Sequence, residues 1–80
     1  MARFNDQDLI TAFSTQKPVK GLKQWQVCFT PRANASNDYS GDKVVVFSAP
    51  NRPDANQMAI EYGMRITQMR VRWIYQNKGA

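Results

Sequence analysis

Met69-Arg70-Val71-Arg72-Trp73-Ile74-Tyr75 is the stretch on which the fold turns. With a period of two, Met69, Val71, Trp73 and Tyr75 fall on one face and Gln68, Arg70, Arg72 and Gln76 on the other. The spacing predicts a strand with an apolar face on a core and a basic face turned outward. From Arg65 onward the chain carries Arg65, Arg70, Arg72 and Lys78 and no acid, so the outward side of this strand is positive.

Working back from it, residues 53–62 carry helix signals. Asn51 suits the N-cap, Pro53 is tolerated in the first turn, Asp54 sits near the positive end of the helix dipole, and Gly63 is placed to terminate the helix. Ala55, Met58, Ala59 and Tyr62 share a packing face, leaving Asn56, Gln57 and Glu61 to water. Before the helix, Lys43–Ala49 reads as a strand whose unbroken Val44-Val45-Val46-Phe47 run implies contacts on both faces, and Pro50 ends it.

Residues 24–30, Gln24-Trp25-Gln26-Val27-Cys28-Phe29-Thr30, alternate cleanly, with Trp25, Val27 and Phe29 on one side. Pro31 stops this strand. A polar loop over residues 31–42 follows, closed by the Ser40-Gly41-Asp42 turn, and a hairpin loop of this length is either mobile or used in binding.

Residues 14–23, with Lys17-Pro18 and Lys20-Gly21, read as a linker. At the start, Asn5 is a suitable N-cap, Asp8 stands in the capping-box position, and Phe4 can staple onto Leu9. A helix over Asp6–Ser14 follows, with Leu9, Ile10 and Phe13 forming its apolar side. It is too short to stand alone and must dock on the domain or on a partner.

The expected fold is therefore α+β, a single domain over residues 1–80 in α-β-β-α-β order. Residues 1–23 hold the capped helix and linker, and residues 24–76 a ββαβ core. A right-handed crossover through the second helix places the third strand beside the first, giving sheet order 2-1-3 with both helices on one face. The other face is left partly bare, with Gln24, Gln26, Thr30, Arg70 and Arg72 on it. Asp54-Ala55 followed by Met58-Ala59 and Gly63 resembles a pattern shared by many small ββαβ domains, short phycobilisome rod linkers and small phage-encoded inhibitors of host RNA polymerase among them. The resemblance covers residues 25–75, rests on packing positions, and carries over no functional residue.

Composition narrows the function classes. Net charge is +5, which biases encounters toward acidic partners. No apolar run approaches the roughly 18 residues of a membrane span, and Arg3, Asp6 and Asp8 stand where a secretory signal needs an apolar stretch. A cytoplasmic protein is expected. A single cysteine and no histidine argue against disulfides, a zinc site and His-activated nucleophiles. Cys28 has no neighbouring motif that lowers its pKa. No carboxylate pair or glycine-rich phosphate loop is present, so neither an enzyme nor a cofactor is expected.

Alternation puts Trp25, Phe29, Trp73 and Tyr75 with the valines, hence in the core, while Phe47 and Tyr39 are freer and Tyr39 is the aromatic expected to be exposed. Arg70 and Arg72, about 6.6 Å apart by strand geometry, suit successive phosphates or a pair of carboxylates equally, and they are also read as a solvated strand face. Arg65, Lys43, Lys78 and Tyr39 join them as candidate contact residues. The leading expectation is a non-enzymatic accessory protein, of the sort phages and mobile elements encode, docking its basic sheet face and loop on an acidic surface of a larger protein or assembly. The alternative is a nucleic-acid-binding module using the same arginines on phosphates.

Overall fold

The computed structural model describes residues 4–14 and 17–77. The chain runs α1 (Asp6–Ser14), β1 (Lys23–Pro31), β2 (Lys43–Ala49), α2 (Arg52–Tyr62), a π-helical turn (Gly63–Thr67) and β3 (Met69–Gln76). The three strands form one sheet in the order β2-β1-β3. β1 is antiparallel to both neighbours, so β2 and β3 run parallel to each other, as the helical crossover between them requires.

Both helices begin where the local chemistry places them. The Asp8 N–H donates to Asn5 Oδ1 at 2.8 Å, and the Asp54 N–H to Asn51 Oδ1 at 2.9 Å. Each bond satisfies an amide that the helix itself cannot. Both helices cover the same side of the sheet, where Phe13, Trp25, Val27, Phe29, Phe47, Ala49, Ala55, Ala59 and Ile74 form the core.

The anchor of α1 is Phe13. Its ring stacks on Phe47 and on Tyr62, with centroids 4.1 Å away in each case, and Phe29 meets it at a tilt from below. Offset aromatic contacts of this kind add to plain burial. This docking supplies what a nine-residue helix lacks by itself. Phe47, expected to be freer, is fully buried in this stack. The buried Trp25 indole N–H donates to the Ala49 carbonyl at 3.1 Å, which meets the one polar demand of that ring.

Three local expectations are corrected. Gly63 is the C-cap of α2 but does not break the helical path. It keeps right-handed helical geometry (φ −63, ψ −40), and the chain continues through the π turn to Gln68, which stops it in the left-handed region (φ 58, ψ 34). Gln68 is held there by its N–H on the Gly63 carbonyl and its side-chain amide on the Met64 carbonyl. Glu61 does not face water but is 4% exposed, hydrogen-bonded to Gln57 and ion-paired with Arg65 at 2.8 Å. Finally, the valine run of β2 is not covered on both faces: Val44, opposite Cys28 on the helix-free side, is exposed.

Candidate functional site: the helix-free face of the sheet

The register of β3 on β1 decides what this face carries. Cys28 pairs with Trp73 and Phe29 with Val71, so Arg72 is an extra residue, a β-bulge. A bulge shifts the side-chain alternation by one residue. Before it, Met69 and Val71 pack on the core side; after it, Ile74 takes that side and is buried. Trp73 and Tyr75 are thereby turned to the face without helices. This overturns the expectation that Trp73 and Tyr75 lie in the core, whereas Trp25 and Phe29 do lie there. The signal was present in the sequence, since apolar residues at 69, 71 and 74 step by two and then by three, but strict alternation left Ile74 on the wet side.

Two cross-strand rows result: Val46–Gln26–Tyr75 and Val44–Cys28–Trp73. With strands about 4.8 Å apart, each row is about 10 Å wide. Tyr75 is 62% exposed and Val44 is also exposed, while Val46, Gln26 and Trp73 are half-buried. The Trp73 and Tyr75 rings touch, with centroids 5.2 Å apart. Neither row contains a charged side chain; the open part of this face is an apolar, aromatic patch of Val46, Tyr75 and Trp73 with Gln26 among them, while Cys28, between Val44 and Trp73, is buried.

The end of the face nearest the β1–β2 loop is already covered. Arg72, with its side chain only 14% exposed, pairs through Nε with Asp42 Oδ2 at 2.9 Å. It also donates to Thr30 Oγ1 at 3.0 Å and to the backbone carbonyls of Ser36 and Asp38. Its guanidinium lies 4.5 Å from the centroid of the Tyr39 ring, within cation–π range. Arg70 donates to the Asn34 carbonyl at 2.9 Å. Within the loop, Asn34 Nδ2 donates to the Ser40 carbonyl and the Ser40 N–H to Asp38 Oδ1. The loop is thus strapped across Thr30 and Cys28 by the bulged arginine.

Electrostatics follow this packing. The Thr30 hydroxyl first, and then the Arg72 charge, hold the Asp42 carboxyl below its usual value against partial desolvation. Asp38 is lowered by the backbone N–H and hydroxyl of Ser40. Cys28 is pushed up, first by burial and then by its hydrogen bond to Asp42 at 3.6 Å, so its sulfur stays a protonated, weakly nucleophilic thiol.

The six candidate contact residues separate. Arg70, Arg72 and Tyr39 meet where the loop crosses β3, but Arg72 is consumed as a strut rather than free for a partner. Tyr39 is exposed. Arg65 lies on the helix side, bonded to the Phe4 carbonyl at 2.6 Å and paired with Glu61 and Asp6. Lys43 is exposed at the start of β2, in register with Phe29 and hence of the core-side parity. Lys78 lies outside the described residues. Sequence reasoning missed Trp73, Tyr75, Val44 and Val46 as the central surface.

Among the described residues, no helix is long and apolar enough to cross a membrane and no group of three His, Cys, Asp or Glu side chains is placed to hold a metal ion. Comparison with protein-family models, with curated proteins and with solved structures finds no match to this chain.

Proposed function

We propose that this chain is a protein-binding module, not an enzyme, which docks the helix-free face of its sheet on a partner protein that is apolar at the contact centre and acidic around it. The observation that carries this reading is the bulge at Arg72, which turns Trp73 and Tyr75 out beside Val44 and Val46. Interface centres are depleted in charge and enriched in aromatics, and Trp and Tyr dominate their energetics. The acidic rim of the partner follows from charge complementarity. The chain carries net charge +5, Arg70 borders the patch, and the nearby Asp42 is neutralised by Arg72.

A second reading, single-stranded nucleic acid stacked on Trp73 and Tyr75, is favoured by the ring pair lying on an open sheet face. It needs cations that track a phosphate backbone, and Arg72 on this face is already spent on Asp42 and loop carbonyls.

The test is a titration of the native chain and of a Trp73→Ala/Tyr75→Ala variant against the protein captured from nuclease-treated lysate, beside a labelled oligothymidylate. The expected result is at least a tenfold loss of protein affinity, about 1.4 kcal/mol, with binding of the native chain that persists in moderate salt. Unchanged affinity in the folded variant overturns the site. Oligonucleotide binding that falls with salt in proportion to the phosphates contacted supports the second reading instead.

A further inference from the structure

A second surface lies on the helix side of the free edge of β3. A groove of about 340 Å³ is lined by Ile60, Met64, Met69 and Val71, with Arg32 and Arg70 beside them. Ile60 and Met64, from α2 and the π turn that extends it, are exposed; Met69 and Val71 stand two apart on β3. No acid lines the groove. The volume is at the lower end of ligand-sized cavities, enough for one or two aliphatic side chains.

We infer that this groove receives an extended segment of a partner protein, with aliphatic side chains at its centre and acidic residues flanking them, laid along the outer edge of β3. Three observations converge. β3 ends the sheet order, so its outer N–H and C=O groups are a template for a further strand. A strand added there directs alternate side chains, about 6.6 Å apart, to the helix side where the groove lies. The Arg32 guanidinium, with no acid among the lining residues, selects the charge of the residues that flank the apolar ones. Arg70 borders the groove through its place on β3, while its guanidinium is turned to the opposite face, onto the Asn34 carbonyl of the loop. The far end of the edge is blunted, because Arg52 Nη2 donates to the Ile74 carbonyl at 3.3 Å. At the other end the Met69 carbonyl lies against Gly63, so the added segment pairs through the stretch between them, around Val71 beside the groove. Two methionines in the lining suit an adaptable peptide site.

This inference is independent of the sheet-face reading, since the groove shares neither Trp73 nor Tyr75. The probe is an N-acetylated, C-amidated heptapeptide, Glu-Asp-Val-Leu-Val-Asp-Glu, titrated into the intact protein and followed by methyl NMR of Ile60, Met64 and Met69. The expected result is saturable shifts at these methyls, with slowed amide exchange at Met69 to Arg72. Replacing the peptide's acids by lysine, or its apolar centre by serine, is expected to weaken binding at least tenfold. Arg32→Glu and, separately, Met64→Lys are expected to do the same while the methyl spectrum of buried Ile74 stays unchanged. Absence of saturable shifts up to about 1 mM peptide, the weak limit of useful recognition, overturns the proposal, as does equal binding of the lysine peptide.

Discussion

A Cβ added to Gly63 would press into the Met69 carbonyl oxygen and lie 3.3 Å from Phe29 Cε1. Neither neighbour yields easily, one being backbone and the other a fully buried ring. Gly63→Ala is therefore expected to cost about 2 kcal/mol or more by overpacking, read as a lower denaturant midpoint at unchanged slope. This residue is needed for close approach, not for a turn, a distinction that a lone glycine in a sequence does not reveal. Arg72 and Asp42 make the other single-residue point. The Asp42 carboxyl is lowered in the folded chain, so its contribution is fully present above the unfolded value of about 3.9 and is lost as pH falls through the lower folded value. Melting temperatures across that acid range should converge for the native chain and Asp42→Asn, and separate above it. A constant difference at all pH values would count against Asp42 as a charged anchor. Substituting Arg72 with Glu, which reading it as a solvated residue predicts to be harmless, instead opposes Asp42 with a like charge and abandons Thr30 and two loop carbonyls. A fall in melting temperature of roughly 5 °C or more is expected.

At the level of elements, α1 is held by two different devices. Phe13 supplies apolar contact with Phe47 and Tyr62, and Arg65 supplies a polar clasp from the π turn to Asp6 and the Phe4 carbonyl. The clasp rests on buried Glu61, whose charge loses its counter-ion if Arg65 goes. Arg65→Met is expected to destabilise by about 2–3 kcal/mol, and Glu61→Gln in the same chain to recover part of it, because what is costly is a buried charge left alone. Hydrogen exchange should show the amides from Leu9 to Phe13 losing protection in Arg65→Met before those of β1 do. The helix itself was legible: cap, acidic first turn and apolar side all lie within nine consecutive residues. Its clasp was not, because Arg65 lies about 60 residues downstream of Phe4 and Asp6 and only the crossover brings it back. Glu61 likewise stood on what a helical wheel takes for the wet side. Arg65 of the π turn closes over it, and a wheel knows nothing of that turn.

Across the whole molecule the two sheet faces do different work, and substitution should separate them. Tyr75→Ala is expected to change stability by about 0.5 kcal/mol or less, as exposed positions usually do. Phe13→Ala, in the core stack, is expected to cost about 3–5 kcal/mol. Equal losses from the two, measured by denaturant unfolding, would mean that Tyr75 is covered after all. Element order, the strand order β2-β1-β3 and the common side of both helices follow from signals that lie close together in the chain. Caps at Asn5 and Asn51, alternation from Trp25 to Phe29, prolines at the strand ends and one short helix joining two strands leave little choice of topology. What points outward was decided by tertiary structure. One inserted residue in the β3 pairing, Arg72, exchanges Trp73 for Ile74 in the core, and that residue is held in place by Asp42, Thr30 and carbonyls of a loop more than 30 positions away. A period-two pattern reports a face only while pairing is regular; where a bulge falls depends on which buried and ion-paired contacts the partner strand and loop can offer, and those exist only once the chain has folded.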